Sequence, residues 1–198
     1  MSTILVAGLG NPGPTYRHTR HNVGFMAADY LADKLSLTLG RKAFDGLSGD
    51  GDWQGHRLIL LKPQTFMNLS GRSVAAACRY HKLSPSGLIV MHDDLDIPFG
   101  QVRLKEGGGH GGHNGLRSIM AELGNGSFLR IRIGIGRPAQ GETVDYVLSP
   151  FSRQEMLQLT LILDGVVQIL SQLLVDGVPK AMSLNNNRNF LASAGSDG

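Results

Sequence analysis

Thr3-Ile4-Leu5-Val6-Ala7-Gly8-Leu9-Gly10-Asn11-Pro12-Gly13 is the stretch from which the rest of the chain can be placed. Its apolar run, closed by glycines and a proline, predicts a short buried strand followed by a turn. The spacing G-x-G-x-x-G also matches the dinucleotide fingerprint, which needs a helix starting inside the loop so that its N–H groups meet a pyrophosphate. Pro12 and Pro14 remove two of those donors, and the next helical pattern begins only near Asn22. The acids at the right distance, Asp29 and Asp33, fall within that helix instead of ending a second strand. The loop therefore reads as a tight turn that holds Asn11 at the C-terminal end of a strand, where α/β sheets bind ligands.

Outward from this strand, apolar residues at helical spacing (Phe25, Met26, Ala28, Leu31, Leu35) predict a helix over 23–37. Residues 44–62 predict a hairpin, with Gly49-Asp50-Gly51-Asp52 as its turn and 57–62 as its second strand. Ser70 is placed to cap a helix running to about His81. Strands are expected over 88–91 and 101–105, and a helix over 115–123 follows a glycine-rich loop. Over 129–135, Arg130 and Arg132 alternate with apolar residues, the pattern of a half-buried strand. Ser152-Arg153-Gln154-Glu155 is a capping box opening a long amphipathic helix to about Val175. Strands alternating with helices give one α/β domain, its sheet mixed because the hairpin is antiparallel. The domain is expected to span residues 1–191, with a small, polar, disordered tail over 192–198.

Bulk properties narrow the class. At 198 residues, with 41% hydrophobic and 18% charged residues, the chain can bury a core and is neither fibrous nor disordered. Its apolar runs, such as 157–163, are interrupted well short of a membrane span, and no signal-peptide pattern opens it. Cys78 is the only cysteine, which rules out an internal disulfide. A cytoplasmic protein that needs no membrane is expected. Formal net charge is only +3, yet Arg103, Lys105, Arg117, Arg130, Arg132 and Arg137 fall in one window against Glu106 and Glu122, a distribution suited to a polyanion.

Four segments can carry chemistry. His21, in Arg20-His21-Asn22, precedes a helix, a position that lowers an imidazole pKa and keeps it available as a base. His92-Asp93-Asp94-Leu95-Asp96 ends a strand; metal ligation, turn chemistry or orientation of an imidazole by one Asp all fit the spacing. Six glycines in the nine residues from Gly107 to Gly115, interrupted by His110, His113 and Asn114, allow close backbone approach to a ligand. Phe66-Met67-Asn68 places a stacking surface and an amide in one loop. Ser70 lacks a nucleophile elbow and reads as a cap, and no HExxH or Walker lysine occurs.

Taken in order, Gly8 to Gly13, Arg20-His21-Asn22, Phe66 to Gly71, His92 to Asp96 and Gly107 to Gly115 resemble the bacterial peptidyl-tRNA hydrolase family over about residues 3–188. The resemblance implies a single α/β domain with a twisted mixed sheet between helices, and cleavage of the ester joining peptide to tRNA. It implies His21 as general base, Asp93 as its orienting carboxylate, Asn11 as the residue separating N-blocked from free aminoacyl-tRNA, and Asn68 as a catalytic amide. It further places Tyr16, Phe66, Met67, Asn68, His113 and Asn114 against the substrate, and Arg103, Lys105 and Arg132 against tRNA phosphates. No cofactor, metal or protein partner is implied, and a monomer is expected. Three other readings compete: a non-catalytic RNA-binding protein on the same scaffold, a metal-dependent hydrolase using His92, Asp93 and His113, and a dinucleotide-binding oxidoreductase. The first has no need of His21 paired with Asp93.

Overall fold

A computed structural model of the chain describes residues 1–192; of the tail expected over 192–198, all but Ala192 lies outside the described residues. Seven strands form one sheet: β1 (Thr3–Gly8), β2 (Arg41–Ala43), β3 (Gly46–Trp53), β4 (His56–Pro63), β5 (Leu88–Asp94), β6 (Val102–Glu106) and β7 (Leu129–Gly134). Their order is β2-β3-β4-β1-β5-β7-β6. The four central strands, β4, β1, β5 and β7, are parallel; β3 and β6 run against them on either side, and β2 pairs antiparallel with β3 at one margin. The sheet is thus mixed, as the sequence predicts.

Helices cover both faces. Against one lie α1 (Val23–Lys34), α5 (Arg153–Asp176) and α6 (Val178–Asn185); against the other lie α2 (Ser70–Tyr80) and α3 (Asn114–Leu123). Val6, Ile89, Met91 and Ile131 point to the first layer, and Leu5, Ala7, Val90 and Leu88 to the second, the period-2 division of strands buried on both sides. A short helix, α4 (Thr143–Val147), packs Tyr146 and Val147 against the margin of the first layer. By length and composition α5 could cross a membrane, which revises the expectation that no segment approaches that length. Its apolar stripe, including Leu159, Ile162, Val166, Ile169 and Leu173, is however buried in the domain core.

Several local expectations change. The hairpin turns at Gln54–Gly55, both at positive φ, and not at Gly49–Asp52, which lies within β3. A Cβ on Gly49 would sit 2.3 Å from Thr38 O, and one on Gly51 2.3 Å from Leu37 Cδ2, so those glycines admit a crossing segment. Ser70 is not a cap: its hydroxyl donates to Met67 O inside a tight turn, and Leu69 holds the N-cap position. The capping box at Ser152 and Glu155 forms as expected. Helix α6 went unforeseen. Beyond it, Leu104 N donates to Asn186 Oδ1 and Asn186 Nδ2 returns a bond to Leu104 O, while Phe190 N donates to Gly100 O. The end of the described chain thereby lies along the outer side of β6.

The N-terminal glycines serve contact. A Cβ on Gly8 would lie 2.2 Å from Gly24 O, and one on Gly24 2.4 Å from Met91 O. The first turn of α1 therefore rests directly on β1 and β5, bringing the residues before it to the C-terminal edge of the sheet.

Candidate active site

A cleft of about 830 Å³ opens across that edge. Asn11 reaches it from the loop after β1, Phe66, Met67 and Asn68 from the loop after β4, and His92 and Asp93 from the end of β5. His113 and Asn114 come from the start of α3, Lys105 and Arg132 from β6 and β7, and Val144, Val147 and Leu148 from the segment around α4.

His21 sits in a 3-10 turn, Arg20–Asn22, immediately before α1. Its Nδ1–H donates to Asp93 Oδ2 at 2.8 Å, leaving Nε2 as the acceptor. His113 Nδ1 accepts the Gly115 and Leu116 N–H groups at 3.1 and 3.3 Å, so the proton of that ring is on Nε2, which donates to Asp93 Oδ1 at 2.8 Å. Each carboxylate oxygen thus holds one imidazole. Next to them His92 Nδ1–H donates to Asp93 O at 2.7 Å, while His92 Nε2 is buried without a partner among the described residues.

The electrostatics follow from this triad. Burial alone would raise the Asp93 pKa, but the two imidazoles and their hydrogen bonds overcome it and hold the carboxyl well below the usual carboxylate range. Burial works to lower the His21 pKa, and the charge and hydrogen bond of Asp93 outweigh it, so the net shift is upward. This sign is opposite to the one expected from a position ahead of a helix, because a carboxylate at 2.8 Å acts more strongly than partial charges at a helix end. For His92, burial and the neighbouring His113 push the imidazole far down, so it is neutral.

Among the described residues, His21, Asp93 and His113 form a group with metal-like spacing. The donor set argues against ligation there. With its Nδ1 occupied by two amide N–H groups, His113 must keep the proton on the nitrogen a metal would need. The alternative trio of His92, Asp93 and His113 meets the same obstacle.

The asparagines divide into held and available atoms. Asn11 is buried, its backbone N–H donating to Asn22 Oδ1 and its carbonyl accepting from Asn22 Nδ2. Its Oδ1 accepts from Met67 N at 2.7 Å, which fixes the amide orientation and leaves Nδ2 as a donor without a partner among the described residues. Asn68 and Asn114 line the cleft exposed, and neither side chain has a partner among the described residues.

Other expected site residues are placed less simply. Phe66 is 56% exposed on the rim, whereas Met67 is buried beneath it. Lys105 and Arg132 both face the cleft, and Arg132 Nε donates to Asp94 Oδ2 at 2.8 Å. Arg103 and Tyr16 do not line the cleft; Arg103 donates to Gln101, and Tyr16 is half-buried in the loop before His21. Arg130, expected on the solvated face of a half-buried strand, is buried and donates to the Gly108, Gly109 and Gly126 carbonyls, bracing the glycine-rich loop from below.

Two contributors were missed by sequence reasoning. Arg20, mostly buried, donates to Ser149 Oγ and Pro150 O at 2.7 Å and to Glu155 Oε2 at 2.8 Å, with its guanidinium 4.4 Å from the Tyr146 ring centre. It ties the turn carrying His21 to the α4 wall of the cleft. Asn22 pins Asn11 at the cost of its own capping role in α1. The only signal for either was adjacency to His21.

Comparisons with known proteins agree on one family. The family model for peptidyl-tRNA hydrolase matches residues 5–192. A peptidyl-tRNA hydrolase of Geobacter metallireducens is 62% identical over 194 residues, covering 98% of this chain and 100% of the relative. That of Geobacter sulfurreducens is 59% identical over 192 residues, covering 97% and 100%. The crystal structure of peptidyl-tRNA hydrolase from Acinetobacter baumannii superposes with a TM-score of 0.88 at 42% identity, covering 95% of this chain and 96% of that one. A cleft-bound His–Asp–His triad on this sheet, a match over nearly the whole chain and relatives at this identity together show that the chain belongs to the peptidyl-tRNA hydrolase family.

Proposed function

We propose that His21 is the general base of the reaction and Asp93 the residue that orients it. The reaction itself is hydrolysis of the ester between peptide and tRNA, which frees the tRNA. One observation carries the assignment of roles: at the floor of the cleft, Asp93 holds His21 by Nδ1, so that Nε2 can take a proton from water. Such general-base assistance contributes roughly 10²–10⁴-fold. The water attacks the ester carbonyl, the imidazolium that forms is stabilised by Asp93, and the proton then passes to the departing ribose oxygen. The chemistry needs no covalent enzyme intermediate.

Asparagine amides suit this substrate because a nascent peptide varies in side chain but always presents the same backbone groups. Asn68 is assigned to the developing oxyanion, an interaction often worth about 3–4 kcal/mol. Asn114 contacts substrate beside it, and Phe66 offers a stacking surface at the rim. Asn11 explains discrimination between blocked and free amines. Its fixed Nδ2 can donate to the acyl carbonyl of an N-blocked residue, whereas a free α-ammonium offers only donors in return. Lys105 and Arg132 take tRNA phosphates at the opposite end of the cleft. We further place the enzyme in the cytoplasm as a monomer without a protein partner, its catalytic domain spanning residues 1–191.

N-acetyl-aminoacyl-tRNA and unblocked aminoacyl-tRNA, incubated in parallel, test these roles. Rapid ester loss from the blocked form alone, abolished in His21→Ala, is expected. Equal loss from both would remove the role of Asn11, and full activity of the variant would remove that of His21. For Asn68→Ala, a weakened affinity with an intact single-turnover rate would remove its oxyanion role.

A further inference from the structure

A second cavity, of about 710 Å³, lies beyond the catalytic cleft and takes no part in the hydrolysis described above. Phe25 and Met26 of α1, Lys62 of β4, and Leu159 and Thr160 of α5 contribute to its walls. Asn11 lines both cavities and is the threshold between them.

The order of the strands gives the pair of cavities a direction. Across the sheet, Asn68 and Asn11 follow β4 and β1 and Asp93 ends β5, all at its C-terminal edge, while Arg132 and Lys105 lie further along on β7 and β6, Lys105 in register with Arg130. With tRNA phosphates on the two cations and the ester at His21, the peptide leaves toward β1 and β4, away from β6. The second cavity opens on that side. We propose that it receives the part of the nascent peptide upstream of the residue esterified to tRNA; this rests on the reading of the cleft given above.

Its chemistry fits a chain of changing sequence. Phe25, Met26 and Leu159 give an apolar floor, with a methionine able to adapt its shape. Lys62 crosses that floor, paired with Asp29 at 2.7 Å and 5.1 Å from the Phe25 ring centre, so polar side chains also meet a partner. The threshold is rigid, because Asn22 holds the Asn11 backbone at both its N–H and its carbonyl. A peptide crossing it would be read through its backbone by the Asn11 amide, while its side chains meet a wider and less selective space.

The test compares N-acetyl-phenylalanyl-tRNA with an N-acetylated tetrapeptidyl-tRNA ending in the same phenylalanine. Thr160→Trp fills the cavity from an exposed position on α5, remote from the triad. The variant is expected to raise KM for the tetrapeptidyl substrate about tenfold, leaving kcat and the short substrate unchanged. Equal effects on both substrates, or none on either, would overturn the proposal. A second measurement needs no variant: a non-hydrolysable tetrapeptide amide of 3′-amino-3′-deoxyadenosine carries a benzophenone at its N-terminus. Crosslinks to α1 or the start of α5 are expected, and crosslinks confined to α2 or α4 would overturn the proposal. Failure of the wild-type protein to cleave either tRNA would instead strike the reading of the cleft, while the crosslink still reports on the cavity.

Discussion

His113 Nε2 donates to Asp93 Oδ1 at 2.8 Å, the carboxylate oxygen that His21 leaves free. The same ring caps α3 through Nδ1, so the tautomer of His113 is set by a helix and passed to the carboxylate. Expected at first to touch substrate, His113 has both nitrogens engaged inside the protein. Replacement by Ala should remove a helix cap, about 1 kcal/mol, and leave a buried carboxylate oxygen unpaired, about 1–3 kcal/mol more. His113→Asn keeps a capping side chain but is too short to reach Asp93, so it should recover only the smaller part. Thermal melts of the two variants separate the contributions.

The pH dependence of kcat/KM should carry a definite sign. His21 must be neutral to act as a base, and Asp93 raises its pKa above the ordinary 6.5, so activity should fall as pH drops through that raised value. In Asp93→Asn the acid limb should move to lower pH while the rate falls roughly 10²-fold or more as orientation is lost. In His113→Ala the carboxylate loses a competing donor, and the limb should move upward. Limbs that move together would sink this picture of the triad.

Stability follows the same linkage. The raised His21 pKa marks stabilisation that is full below 6.5 and lost as pH rises through the folded value. The depressed Asp93 pKa marks stabilisation that is present above 3.8 and lost as pH falls through the folded value. The His21–Asp93 pair contributes to both shifts, and His113 adds to the second, so the gap in unfolding free energy between wild type and Asp93→Asn should be widest between pH 3.8 and 6.5. Urea titrations at pH 5 and pH 8.5 measure it; a larger gap at the higher pH would contradict the assignment.

Lys105 and Arg132 should act on tRNA affinity and not on chemistry. Asp94 holds Arg132 by Nε alone, leaving the rest of the guanidinium to a phosphate. Each Ala substitution should raise KM, leave single-turnover kcat near wild type, and make the salt dependence of log(kcat/KM) shallower by about one phosphate contact. An unchanged slope would remove the residue from the tRNA site.

Arg20→Lys tests the tie between the base and the α4 wall. Lysine keeps the charge but loses the planar fork that meets Ser149, Pro150 and Glu155 together. A loss of about 1.5–3 kcal/mol is expected, by analogy with hydrogen bonds to charged groups, together with a KM rise that exceeds the fall in kcat. A variant impaired only in kcat would mean that Arg20 acts on His21 and not on the wall.

How far the sequence could be read depended on the range of the signal. Strands β1, β5 and β7 and helix α5 were legible because burial imposes a period that survives in local composition, and the capping box at Ser152 is local by nature. The hairpin turn was misplaced because glycine marks close approach as well as reversal, and only the crossing at Leu37 and Thr38 tells the two apart. Arg130 was misread because the strand period does not reveal that carbonyls of the Gly107–Gly112 loop would fold over it. His21, Asp93, Asn11 and Asn68 were found through the ordered motifs. The inward engagement of His113 and the tie made by Arg20 depend on contacts across 20 and about 130 residues, which no local pattern encodes.

The chain around Asn186 and Phe190 has one more consequence. By bonding Leu104 and Gly100, it occupies the open hydrogen-bonding side of β6, the strand that carries Lys105. An uncovered margin of this kind is a template for pairing with another molecule. The C-terminal segment thus works as an edge guard. A chain ended before Asn186 should expose a sticky strand and loosen the lysine on it, so turbidity and weakened tRNA affinity should arise together, from one cause far in sequence from the triad.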